Sequence, residues 1–309
     1  MATVTKLKAA VNNKNLPILG DDGNLYNYYV GRWRNVISEL GYTPTNSELT
    51  ALEAFVLNGI NDGWIDRVKY FMPFIGLETT PLTGMVPLID QVADYELAEE
   101  SVDTELFRYN NGKIMGIGGR DDNTGKQATL PVTTRDFGLS QCFSAFIDCR
   151  YENTDLEFNI DGTIISAYDI TDNSINIAVR KGSQNSTSLY YILNNGTITE
   201  TISAGVVTSE DVPQEIGAFW SVYDKNNELL RSRGSLWKGN TSLRGYGTST
   251  FTYPTAISSS TYQFKVGANA VRPLKLKVNV VGIIDPTITS SELLSFNKAV
   301  FILTAALGR

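Results

Sequence analysis

Read only for the spacing of its apolar residues, the chain changes period partway along. Tyr26, Tyr29, Val30, Trp33, Val36, Ile37 and Leu40 recur at intervals of three and four, and Gly41 follows as a stop. After "YTPT" the pattern resumes with Leu49, Leu52, Phe55, Val56 and Ile60, and Asn46 and Ser47 are placed to cap the first free amides. "WIDRVKYFMPFIG" reads as one more short helical turn before Pro73. Residues 26–72 therefore predict a small helical unit. The arm over 1–25 shows Asn/Asp/Gly turns and no strong period.

Past the proline-rich "LETTPLTGMVPLIDQ" and about residue 106, the period becomes two. "LFRYN", "KIMGIGG", "CFSAFIDC", "LEFNI", "TIISAYDI", "SINIAVR" and "SLYYILN" are candidate strands. So are "TITETI", "EIGAFWSVYD", "ELLRSRG", "TSTFTY", "YQFKVGA" and "LKLKVNVVGII". Asp161-Gly162 and Asn195-Gly196 are two-residue hairpin signals, and Asn226-Asn227 is a weaker one. Many short strands without intervening helices predict a mainly β chain with antiparallel sheets in a sandwich or barrel, and exclude a parallel βαβ sheet. In "LKLKVNVVGII", Leu274, Leu276, Val278 and Val280 alternate with Lys275, Lys277 and Asn279, which predicts one dry and one wet face. A C-terminal helix follows. Thr289 and Glu292 have capping-box spacing, and Leu293, Phe296, Val300 and Leu303 form its apolar stripe. That helix is expected against the sandwich or the N-terminal helices.

Composition narrows the chemistry. Apolar residues are 42% of the 309, enough for a sizeable core, and charged residues are only 19%. Net charge is −7 without a dense Lys/Arg run, which argues against nucleic acid. There is no histidine, so His-based triads and His-ligated metals are excluded. Cys142 and Cys149 sit on one candidate strand, ~23 Å apart and on opposite faces, too far for a disulfide. No run reaches the ~18 apolar residues of a membrane span, and "MATVTKLKAAVNNKN" lacks a signal-peptide core, so folding in a cytosol is expected. The three sequons, at Asn185, Asn195 and Asn240, then carry no weight. The acidic run Asp90, Asp94, Glu96, Glu99, Glu100, Asp103 and Glu105 reads as a solvated face. It lacks calcium-loop spacing, and no metal or cofactor is expected.

"FKVGANA" (264–270) and the following Gly282, Ile283, Asp285, Ile288, Thr289 and Glu292 resemble the end of concanavalin A-like, laminin G-like domains. "FNKAVFILTAALGR" resembles the closing helix of such domains on bacteriophage virion proteins, and "FVLNGINDGWIDRVKYFMPFIG" resembles the helical segment before them. The resemblance implies an N-terminal arm and attachment segment (1–80) and a concanavalin A-like jelly-roll sandwich (81–309). It also implies a non-enzymatic virion role as fibre, collar or decoration. The expected partners are other virion proteins, sister subunits and a host-surface glycan, with no nucleic acid or membrane span.

Two other readings compete. In "TDLEFNID", Asp155, Glu157, Asn159 and Asp161 alternate with apolar residues, as in concanavalin-like glycan-degrading enzymes, whose retaining mechanism needs carboxylates about 5–5.5 Å apart. Against that, the segment has one glutamate, no flanking tryptophan, and Asp161 in a predicted turn. A bacterial lectin or adhesin is the other. "GIGGRDDNTG" has Asp121 where a dinucleotide fingerprint needs glycine, and reads as a turn or bulge. The candidate ligand-binding residues are Trp237, Tyr246 and Tyr253, in the Gly/Ser-rich "LWKGNTSLRGYGTSTFTYP", read as an exposed loop. Trp220 is assigned to the core, and Trp33 and Trp64 to the helical unit.

Overall fold

The computed structural model describes residues 5–6, 25–76, 81–91, 96–97, 108–110, 114–117, 128–133, 142–151, 161–168, 174–183, 186–193, 199–206, 214–224, 230–238, 241–251, 263–266, 276–285 and 287–308. Side-chain surroundings are described for 28–76, 83–91, 278–285 and 287–308.

Strand β1 (Thr5–Lys6) precedes two helices, α1 (Leu25–Glu39) and α2 (Asn46–Asn61). Helix α1 closes on Gly41 at φ +90°, where Gly41 N–H donates to Ser38 O and Tyr42 N–H to Ile37 O, both at 3.0 Å. Only glycine adopts that φ without strain. The α2 cap lies one residue before the expected Asn46. The Thr45 hydroxyl accepts from Glu48 N–H at 3.2 Å, and Thr45 N–H donates to Glu48 Oε2 at 2.7 Å. Helix α4 (Ser290–Ala306) starts with the same device, built from Thr289 and Glu292 as read from the sequence.

The expected helical turn after Trp64 is a 3-10 turn at Ile65–Arg67, and the chain then becomes strand β2 (Val68–Met72). The helical reading of residues 68–72 is thereby corrected. Val68, Tyr70, Phe71 and Met72 are fully buried on both faces, and that burial favours a strand paired on two sides over a surface helix. Short α3 (Pro81–Gly84) leads to β3 (Ile89–Asp90). Asp90 is 5% exposed, and its carbonyl accepts from Arg32 Nη1, so it leaves the solvated acidic face assigned to it.

Strands β4 (Glu96–Leu97), β5 (Arg108–Asn110), β6 (Ile114–Ile117), β7 (Ala128–Thr133), β8 (Cys142–Tyr151) and β9 (Asp161–Tyr168) follow. Next come β10 (Ser174–Ser183), β11 (Ser186–Leu193), β12 (Thr199–Val206), β13 (Gln214–Asp224) and β14 (Leu230–Lys238). The last are β15 (Thr241–Phe251), β16 (Gln263–Val266) and β17 (Leu276–Ile284). Beyond the β1–β4 pair, they build two antiparallel sheets. One has six strands in the order β12-β11-β10-β9-β16-β7. The other has nine, in the order β15-β14-β13-β8-β17-β2-β3, with β6 also on β17 and β5 on β6. The chain crosses between the sheets repeatedly, and the late strands β16 and β17 return beside the early β9 and β8. Cys142 and Cys149 share β8, as their spacing requires.

Register corrects two readings. Asp161 and Gly162 are not a turn; they pair with Arg180 and Val179 inside β9. Asn195-Gly196 and Asn226-Asn227 lie outside the described residues, between strands that do pair as hairpins, β11 with β12 and β13 with β14. In β17 the expected wet residue Asn279 is 4% exposed and occupies a bulge, where Val278 pairs with Cys149 and Val280 with Asp148. Beyond it Val280, Val281, Ile283 and Ile284 are all buried.

One core joins both ends of the chain. Phe55 stacks on Phe71 at 4.6 Å, and Trp64 meets Phe296 edge-on at 5.1 Å and Phe55 at 5.0 Å. Residues on both sides of the expected 80/81 boundary share this core, since β2 pairs with β17 and α4 packs on α2. Gly59 is dictated by it, because a Cβ there would lie 2.7 Å from the Trp64 ring. Phe296→Ala is therefore expected to cost about 3–5 kcal/mol in chemical denaturation. Phe301→Ala, on the exposed side of the same helix, is expected to cost well under half as much.

Candidate functional site

Helices α2 and α4 lie antiparallel. The start of α2 and the end of α4 line one groove, and Ser295, early in α4, donates to Asp62 at the end of α2. The groove has a volume of about 510 Å³, within the range of ligand pockets. Ala51, Ala54, Phe55, Ala299, Ile302 and Leu303 form its floor and walls, and Asn46, Ser47, Thr50 and Asn58 its polar rim. Among the described residues no charged side chain lines it. Ile302 is 59% exposed, and Leu57, Leu294 and Phe301 are the other large apolar residues open to solvent on these helices. Asn58 Oδ1 is buried without a donor among the described residues. Helix α4 is thus apolar nearly all round, the pattern of a helix covered on more than one side. The sequence reading found only the inner stripe, although Leu294, Phe301 and Ile302 were there to signal a second.

At the other end of α4, the turn after β17 is built on Asp285. Its Oδ1 accepts from Thr287 N–H at 2.8 Å and Thr287 Oγ1–H at 2.6 Å. Lys69 Nζ stands 3.8 Å from its Oδ2, and Arg67 binds Thr287 Oγ1 and approaches Glu292. Burial alone would raise the Asp285 carboxyl, but the two Thr287 hydrogen bonds and the charges of Lys69 and Arg67 outweigh it and hold the group below its ordinary 3.8. This is a structural clamp on the entry to α4.

The aromatic candidates stand on strands rather than in the expected loop. Trp237 lies on β14, in register with Ser242 of β15 and Gly217 of β13. Tyr246 lies on β15 beside a register shift, where Gly234 pairs with Gly247 and Leu236 with Arg244. Both strands are at the opposite end of the nine-stranded sheet from β2 and β3, where the helices pack. Tyr253 lies outside the described residues, as do Asp155, Glu157 and Asn159; Asp161 opens β9. Gly116 belongs to β6, and residues 118–125 of the glycine-rich segment lie outside the described residues. Among the described residues no group of three His, Cys, Asp or Glu is placed to hold a metal, and no helix is long and apolar enough to cross a membrane.

No family model and no curated protein matches the chain. Solved structures give distant likenesses. The GH43 protein BlXynB of Bacillus licheniformis is 12% identical over 55% of this chain and 33% of its own, at a TM-score of 0.34. The alginate lyase Aly36B is 5% identical over 61% of this chain and 87% of its own, at 0.41. The Ruminococcus gnavus IT-sialidase CBM40 bound to alpha2,3 sialyllactose is 12% identical over 58% of this chain and 94% of its own, at 0.36. The chain thus spans about a third of the length of that GH43 protein. At such TM-scores the sheet architecture stands on the chain's own strand pairing.

The Asp285 clamp sets a pH dependence. A carboxyl held low in the fold stabilises fully above its unfolded value of about 3.9 and loses that contribution as pH falls through the folded value. Melting temperatures measured from pH 7 down to pH 3 are expected to fall less steeply for Asp285→Asn than for the wild type.

Proposed function

We infer that the chain is a non-enzymatic glycan-contacting protein: a concanavalin A-like jelly-roll domain mounted on a base of helices. The observation that carries this reading is the sheet order. The helices pack against the end formed by β17, β2 and β3, while the aromatic strands β14 and β15 close the other end. The helical base and the aromatic strands thereby stand toward opposite ends of one sheet. Return of the late strands beside the early ones supports the jelly-roll assignment. On this reading the α2–α4 groove and its apolar flanks serve attachment, to a sister subunit or to a larger assembly. A bacteriophage particle is the assembly favoured by the likeness of residues 264–309 to virion domains, which makes the chain a fibre, collar or decoration protein.

One observation favours turnover instead. Asp161 begins a strand, so the turn that set the 155–161 carboxylates apart from a glycan-degrading pattern is removed. A glycan array and a reducing-end assay separate the two. Binding without product release, lost on Trp237→Ala, is the expected result. Cleavage by the wild type that disappears in Glu157→Gln would replace this reading with the enzymatic one, and no interaction with any glycan would end both. For attachment, the wild type is expected to elute as an oligomer at micromolar concentration and Ile302→Asp as a monomer with an unchanged circular dichroism spectrum. Unaltered assembly of Ile302→Asp would remove the groove from that role.

A further inference from the structure

The strand register brings a charged platform together from five separate parts of the chain. Across the nine-stranded sheet, Glu215 on β13 pairs with Arg150 on β8, Arg150 with Lys277 on β17, Lys277 with Gly116 on β6, and Gly116 with Arg108 on β5. Directly paired residues share a face, so these five form one row about 19 Å long. Two residues along, a second row on the same face runs Ser242, Trp237, Gly217, Asp148 and Val280. Val280 belongs to the core under the helices, so both rows continue the helix-bearing face of the sheet. Val278, on the far side of the bulge, pairs with Cys149 and belongs to the opposite face.

Three features of this placement point to a ligand. The first row holds three cations and one carboxylate in a chain whose net charge is −7. Arg150 and Lys277 are directly opposite, a like-charge pair that Glu215, opposite Arg150 on its other side, offsets only in part. Each row also contains a glycine, Gly116 between Lys277 and Arg108 and Gly217 between Trp237 and Asp148. Glycine inside a strand marks a bulge, a bend or a place where a ligand or another backbone approaches closely, and the last of these suits a flat chain lying across both rows. Tryptophan adds the flat apolar surface on which a sugar ring stacks.

We propose that this platform binds a carboxylate-bearing glycan, of uronic-acid or sialic-acid type, with Arg108, Arg150 and Lys277 receiving its acid groups and Trp237 a sugar face. Guanidinium groups suit this task because they match a carboxylate with two parallel hydrogen bonds. The inference rests on the glycan-contacting reading above and names the class of glycan.

The test pairs probes that differ only in charge: hexagalacturonate against its fully methyl-esterified form, and sialyllactose against lactose, by titration calorimetry. At least one acidic member is expected to bind, with affinity falling as salt rises, while its neutral partner binds ten-fold or more weakly. Arg150→Gln and Lys277→Gln are expected to remove that preference at unchanged melting temperature, and Lys277→Arg to keep it. Because salt dependence is read on the wild type, the test survives a variant that fails to fold. Equal binding of acidic and neutral partners would overturn this inference and leave the glycan reading intact. Binding of no glycan on a broad array would overturn both.

Discussion

The fold depends on one aromatic knot. Phe55 from α2, Trp64 from the turn, Phe71 from β2 and Phe296 from α4 pack together, with Phe55 and Phe296 each 4.6–6.1 Å, centroid to centroid, from the other three. Phe71 cannot join without its strand, which is hydrogen-bonded to β17, and β17 runs directly into α4. The path from α2 through β2 and β17 to α4 thus closes on itself. Polar contacts secure its rim: Ser295 with Asp62, Arg67 with Thr287, and Asp285 N–H with Arg67 O at 2.6 Å. Burial of large aromatic area drives the closure, and the directional bonds fix its register.

That closure decides where the rest of the sheet is free to work. The helices cover the face on which Val280, Ile284 and Phe71 lie. At Asn279 the bulge adds one residue to β17 opposite β8, and the alternation shifts phase. On the helix side of the bulge the face is core; on the other side the same face carries Lys277 and its cationic row. A single extra residue therefore marks the border between packing surface and proposed recognition surface. A regular strand would have placed Lys277 on the face opposite Val280.

What was legible in the sequence was local. Gly41 as a stop, the Thr289–Glu292 capping box and the Leu293, Phe296, Val300, Leu303 stripe depend on residues within a few positions of one another, and the structure has them. Strand β2 was illegible because it is five residues long and buried on both faces, so it has neither the length nor the alternation to break with the helical period before it. Asn279 was misplaced because alternation assumes an unbroken register. Trp237 and Tyr246 were read as loop residues because glycine and serine around them signal turns, whereas the two partners of β14 enforce a strand. The charged platform was invisible because Arg108, Arg150, Glu215 and Lys277 are far apart in sequence and meet only through pairing.

A net charge of −7 argues at first sight against an acidic ligand. Range settles the matter. At physiological ionic strength, charges more than about 8 Å apart are largely screened. A glycan lying on the platform therefore responds to the residues of the two rows and little to the acids elsewhere on the chain. Within the rows, Glu215 and Asp148 stand beside Arg150, so neither leaves the cations fully neutralised: three positive residues face two negative ones. Long-range repulsion would slow the approach of an acidic chain, and short-range pairing would hold it once it arrived. Such a surface selects by contact rather than by attraction from a distance.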